Sequence, residues 1–217
     1  MNSPTSAILP GMAKRANAEE QRRRIVRSAF RVLARDGLEG LSMRKVAKEA
    51  GCTIGLINHW FTSKEDLVMA AWQEVVRREH ERAERLRAEG RFRADELLLA
   101  TLPTTPELRR EELVWQAFAA LAISNPAVRK AYTRNYRYAQ SVLSEALAPD
   151  GSPDEQHEET ADLLIAAIDG IAKIAALDPA RWPPARQREA LRRLIAPHLG
   201  ASRSATADQK RRVKSAP

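Results

Sequence analysis

A single cysteine, Cys52, occurs among the 217 residues, which excludes an intramolecular disulfide and fits a reducing compartment. Histidine is scarce too: His59, His80, His157 and His198 are widely scattered, and no pair has metal-ligand spacing. Neither a Gly-rich phosphate loop nor a nucleophile-and-base set is present, so no enzyme, no cofactor and no bound metal are expected. No apolar run approaches the roughly 18 residues of a membrane span. The opening stretch MNSPTSAILPGMAKR lacks a basic segment followed by an apolar one, so no secretory signal is expected. Strand-length alternation, internal repeats and a low-complexity core are missing as well. Together these absences predict a soluble, cytoplasmic, all-α protein with no membrane partner.

What is present is an ordinary globular balance, 44% hydrophobic and 29% charged, with the charge unevenly placed. Residues 1–62 hold 11 Lys and Arg against 5 Asp and Glu, and residues 201–217 hold 5 against 1. The net charge of +8 is therefore concentrated at the two ends, leaving 63–200 at −2. A basic segment suits a polyanion, because neutralising phosphates releases condensed counterions. A solvated surface is the plainer reading of such a segment, unless a groove-reading motif lies inside it.

One does. In SMRKVAKEAGCTIGLINHWF, from Ser42 to Phe61, Val46, Ala47 and Ala50 make one apolar face of a helix starting at Met43. Ser42 can cap that helix, and Gly51 can take the positive φ of a sharp stop. Thr53 can cap a second run in which Ile54, Ile57 and Phe61 recur at three and four residues. Two helices joined by a short Gly-containing turn form a helix-turn-helix, whose second helix fits the major groove of DNA. Small Ala47 allows a close crossing, with Val46, Cys52 and Ile57 expected to fill the space between.

Along the rest of the chain, residues 1–17 are expected to be a disordered basic arm and 201–217 a disordered basic tail. From the arm, Lys14 and Arg15 could reach DNA phosphates, as could Arg22, Arg23 and Arg24 beyond it. A first helix is predicted from about Ala18 to Arg35, ending at Asp36-Gly37. Ser63 with Asp66 reads as a capping box opening a helix over about 64–89. The densely charged second half of that helix reads as an exposed connector. Further helices are predicted at about 93–102, 107–123, 126–147, 155–177 and 186–199, separated by prolines that fall between the patterns. A DNA-binding domain over 18–70 and a helical domain over 71–200 follow.

Ala50-Gly51, Thr53, Gly55, His59-Trp60-Phe61, Lys64-Glu65 and Leu67, after an arginine-rich first helix, resemble the N-terminal domain of TetR-type transcriptional regulators over about 20–70. Asn58 stands where that family often has tyrosine, and Asn can contact phosphate or adenine itself. WQAFAALAISNPAVRKAYTRNYRYAQ and LLIAAIDGIAKIAALDP resemble the C-terminal domain of the BetI-like subgroup, as does GLINHWF in the motif. The resemblance implies a three-helix helix-turn-helix domain plus a C-terminal helical domain for ligand binding and dimerisation, with the last two helices at the interface. It further implies a repressor that binds a palindromic operator in double-stranded DNA as a homodimer and is released by a small-molecule effector. An effector-independent architectural DNA-binding protein, or an activator of the same fold, is the alternative.

The candidate DNA contacts are Ser42, Arg44, Lys45, Thr53, Ile54, Gly55, Leu56, Asn58, His59 and Lys64. Asn58 can pair with adenine N6/N7, and Ile54 can touch a thymine methyl group. Ser42, Arg44, Lys45 and Lys64 are expected to position the protein on phosphates. His59 can alternatively pack on Trp60. Downstream, Trp115, Phe118, Tyr132, Tyr136 and Tyr138 crowd into a short stretch, and Asp169 puts a carboxylate into an apolar helix. Trp115, Phe118, Tyr132, Tyr136 and Asp169 are candidate effector contacts, with ordinary helical core as the competing reading. An aromatic pocket can hold an apolar ligand or a quaternary ammonium.

Overall fold

Caps and prolines set the element boundaries. The computed structural model describes residues 10–148 and 152–198. It contains α1 Pro10–Gly40, α2 Met43–Ala50, α3 Ile54–Trp60, α4 Lys64–Ala88, α5 Ala94–Leu99, α6 Pro106–Ser124, α7 Pro126–Leu147 and α8 Glu155–Leu177. A last helix, α9, runs from 184 to the final described residue, 198. No strand occurs among the described residues, so the all-α expectation holds. The expected tail over 201–217 and the arm over 1–9 lie outside the described residues.

Two units divide the chain between Glu74 and Val75, within α4. In the first, Ile25, Ala29, Phe30, Val32 and Leu33 of α1 are buried with Val46 and Ala47 of α2, Ile57 of α3, and Leu67 and Val68 of α4. Gly37, at φ 69° and ψ −175°, breaks α1 near its end. The helix begins at Pro10 rather than near Ala18, so 10–17 are helical where disorder was expected. Proline suits a first helical position, and Met12, Ala13, Lys14 and Arg15 are all good helix formers. Cys52, expected as filler, is only half-buried in the turn between α2 and α3.

In the second unit, α7 packs along α8, and α6 against both. One buried cluster joins Leu98 of α5, Leu143 and Leu147 of α7, Leu164 and Ile168 of α8, and Leu191 and Ile195 of α9. Pro106 and Pro126 each open a helix directly after a capping residue, Thr105 and Asn125. Arg109 donates to the Ala176 carbonyl at 2.8 Å and so satisfies the end of α8.

The second half of α4 departs from the connector reading. Arg78 reaches Glu107 at 2.5 Å and Glu111 at 3.3 Å, Arg82 reaches Glu111 at 2.7 Å, and Arg87 reaches Glu145 at 2.6 Å. A run of arginines is unburiable alone, but acids arriving from α6 and α7 make it a wall of the second unit.

Candidate DNA-reading face and ligand cavity

The turn between α2 and α3 is set by three local devices. Ser42 Oγ accepts from Lys45 N at 3.2 Å. Gly51 adopts φ 61°, ψ 44°, and Cys52 N donates to the Ala47 carbonyl at 3.0 Å, closing a left-handed helix stop. Thr53 Oγ1 then accepts from Leu56 N at 3.2 Å. Beyond α3, Asp66 Oδ2 accepts from Thr62 N, Thr62 Oγ1 and Ser63 N, while Asp66 N donates to Ser63 Oγ at 3.1 Å. This reciprocal capping box starts α4. Those donors, the Thr62 hydroxyl first, hold the Asp66 carboxyl below the ordinary range.

With Ile57 fully buried, α3 turns its other sides outward. Thr53, Ile54, Gly55, Asn58 and His59 are exposed, and Leu56 is half-buried. The His59 ring stands edge-on to Trp60, with centroids 5.1 Å apart, yet the side chain stays accessible. Ser42 and Thr53 use their hydroxyl oxygens as acceptors in the caps, which leaves each O–H free to donate to a phosphate. Arg44 is exposed with no ion pair among the described residues, and Lys64 lies half-buried at the start of α4. Lys45 differs from both, because its Nζ is 3.1 Å from Asp36 Oδ2. Arg31 and Arg35 grip Glu49 at 2.8 and 3.2 Å, and Arg35 also meets Asp36 at 2.9 Å. This chain of charges ties α2 to α1. Sequence reading missed it, since the pairs that cross from α1 to α2 join residues 9 to 18 apart.

In the second unit a cavity of about 630 Å³ is lined from α4, α5, α6, α7 and α8. Of the effector candidates, Trp115, Tyr132, Tyr136 and Asp169 line it. Phe118 does not. It is fully buried behind the wall, 6.1 Å from Trp115 and stacked at 6.3 Å on Tyr132, so its role is to hold those rings in place. Trp115 and Tyr132 meet edge to face at 6.0 Å, and His80 lies 4.4 Å from Tyr138, both of them lining residues.

Glu79, Glu111 and Glu112 also line the cavity. Glu111 is matched by Arg78 and Arg82. Glu79 has a neutral donor, Trp115 Nε1 at 2.8 Å, and Glu112 has Gln116 Nε2. Burial pushes both carboxyls up to about 7, against the opposing pull of those donors. Asp169, on the open edge, is lifted to about 6 by the same cause, with Lys173 one turn away pulling back. Glu111 and Glu112 had a visible signal: they share an amphipathic helix with Trp115 and Phe118 at three- and four-residue spacings. Glu79 had none, lying inside the charged run RREHER.

A capped reading helix on a small three-helix scaffold, joined to a helical unit, defines a helix-turn-helix DNA-binding protein. The chain belongs to the TetR family of transcriptional regulators: residues 25–71 match the bacterial regulatory proteins of the tetR family, and 90–200 match the C-terminal domain of BetI-type transcriptional repressors. It is 29% identical to the HTH-type transcriptional regulator PksA of Bacillus subtilis (strain 168) over 195 residues, 87% of this chain and 92% of that one. A transcriptional regulator from Rhodococcus sp. Rha1 shares the fold at a TM-score of 0.73 and 30% identity, covering 82% of this chain and 96% of that one. A regulator from Saccharomonospora viridis, crystallised with choline, matches at a TM-score of 0.68 and 26% identity over 82% and 96% of the two chains. No helix among the described residues is long and apolar enough to cross a membrane.

Proposed function

We propose that this transcriptional regulator is a repressor that binds a palindromic operator as a homodimer and releases it when a small molecule fills the cavity of the second unit. The observation that carries the reading is the pairing of an exposed α3 face with a separate, ligand-sized cavity, roughly 300–1,000 Å³ being the usual range for such sites. One reading helix covers only a few base pairs, and a two-fold dimer doubles the contacts. α8 supports dimerisation: Leu163, Ile174 and Leu177 are 70%, 46% and 69% exposed, an apolar stripe at helical spacing. Gly170 lies on the same stripe, and a Cβ there would meet nothing within 4 Å. α9 is the second expected interface helix. Choline in the Saccharomonospora viridis relative supports a cationic effector here, because aromatic rings and carboxyls line the cavity of this chain. Release requires that the effector bind the DNA-free conformation more tightly than the DNA-bound one; equal affinity would shift nothing.

The test is a gel-shift titration on the DNA flanking the protein's own gene, competed with unrelated DNA and then challenged with choline and larger organic cations. Sequence-preferring binding that a cation reverses is expected. Binding that unrelated DNA competes equally would remove the operator. Binding that no ligand reverses would favour the effector-free alternative. The variant Leu163→Glu/Leu177→Glu should sediment as a monomer and lose operator affinity.

A further inference from the structure

We infer that the cavity takes a bulky organic cation, larger than choline, in exchange for protons held by the carboxyl trio Glu79, Glu112 and Asp169. The inference deepens the effector reading above and rests on it for its regulatory meaning. Size is the first ground: about 630 Å³ is far more than a trimethylammonium head group fills, and it lies mid-range for ligands of several rings. The walls are the second. Trp115, Tyr132, Tyr136 and Tyr138 line the cavity, and the faces of aromatic rings attract a delocalised cation more than a neutral molecule of equal area.

Charge balance supplies the exchange. The groups facing the trio are His80 and Arg82 of α4, Glu111 of α6, the three tyrosines of α7, and Lys173 of α8. Arg82 is paired with Glu111 at 2.7 Å and pulls on Glu79 only through space. Lys173 is then the one lining Lys or Arg left to offset three carboxyls, and Glu79 and Glu112 each have only a neutral donor. Three anions with one free cation in a partly enclosed space cannot all stay ionised near neutrality, so the empty cavity stores protons. A bound cation supplies the missing charge and expels them. Glu79 and Glu112, the inner pair, carry most of this exchange, and Asp169, at the mouth, carries less.

The sign follows. Protons compete with the ligand, so affinity rises with pH through the range where the trio loses its protons, and flattens above it. Ethidium is a suitable probe because its charge does not titrate there and its fluorescence reports binding. Titrating the full chain, without DNA, should give a Kd at least about tenfold weaker at pH 5.5 than at pH 8. Calorimetry at pH 6.5 in two buffers of different ionisation enthalpy should show proton release on binding. Glu79→Gln and Glu112→Gln imitate the protonated carboxyls and should each weaken ethidium at pH 8 and flatten the pH slope. A Kd that changes less than about threefold, with no proton released, would overturn the exchange. So would a pH slope left unchanged from wild type in both variants, since Glu79 and Glu112 would then not carry the exchange. No ethidium binding at any pH would overturn the bulky-cation assignment itself. The predicted slope together with an operator complex that cations leave intact would support the exchange and remove only the effector role.

Discussion

In the first unit the candidate DNA contacts are mostly exposed and lie close together in sequence, from Ser42 to Lys64. In the second unit the candidate ligand contacts line a cavity and come from four helices, α4, α6, α7 and α8, from Glu79 to Lys173. The difference is one of solvation. Asn58, His59 and Arg44 wait in water, where an unused polar group costs almost nothing, so their positions need only a rigid turn beneath them. Glu79 and Glu112 wait inside the protein, where ionisation is costly, so their state depends on every neighbour. Changes that separate core from surface in each unit test this contrast.

The largest expected effect belongs to the ring behind the cavity wall. Phe118→Ala removes a fully buried side chain, and such truncations cost about 3–5 kcal/mol. Chemical denaturation should show that loss, and ligand binding should weaken too because Trp115 and Tyr132 lose their support. Trp115→Ala should cost ligand affinity with a smaller stability change, as a wall residue would. Equal stability losses in the two would erase the distinction between wall and support.

Next is the outward face. Asn58→Ala should lower operator affinity by about 1–3 kcal/mol while leaving non-specific binding and the melting temperature unchanged. A parallel loss on unrelated DNA would make Asn58 a phosphate contact. The two glycines of the motif divide the same question at about 1–2 kcal/mol. Gly51→Ala forces a side chain into a left-handed backbone at φ 61° and should destabilise the first unit by that amount. At Gly55 a Cβ would meet only Thr53 Oγ1 at 3.8 Å, so Gly55→Ala should not destabilise the fold, and any loss of operator affinity reports the duplex approaching α3.

Local chemistry made the reading unit legible. Ser42, Gly51, Thr53 and the Ser63–Asp66 box announce helix ends through residues three or four apart, and the structure forms each of those bonds. The cavity was only half legible, because aromatics on one helix signal themselves by spacing whereas Glu79 acquires its meaning from Trp115, 36 residues away. The α4 arginines were misread for the same reason: their acids arrive from α6 and α7. Phe118 shows the remaining ambiguity, since spacing puts it beside Trp115 but cannot say which ring faces the space.

The capping box offers a pH test of local order. Because Asp66 is held below its ordinary carboxyl range, it contributes stability that is complete above the unfolded carboxylate pKa and is lost as pH falls through the lower folded value. The first unit should therefore lose stability as pH drops below about 4, and Asp66→Ala should remove about 0.5–2 kcal/mol at neutral pH and blunt that acid dependence. Unchanged acid denaturation in the variant would mean the box is dispensable.

The smallest effect compares two neighbouring cations. Arg44 is unpaired among the described residues, whereas Lys45 is already held by Asp36. Each phosphate contact made on binding adds about one to the slope of log affinity against log salt. Arg44→Ala should lower that slope by about one without changing stability. Lys45→Ala should lower it by less, because the Lys45 charge is partly spent before DNA arrives, and the exposed ion pair itself is worth about 0–1 kcal/mol. The double variant Asp36→Asn/Lys45→Ala gives the control: if Asp36 is what restrains Lys45, then Asp36→Asn alone should steepen the slope, and removing Lys45 from that background should cost a full unit. An Asp36→Asn slope equal to wild type would show that Lys45 swings away from Asp36 when DNA binds, making it as available to phosphate as Arg44.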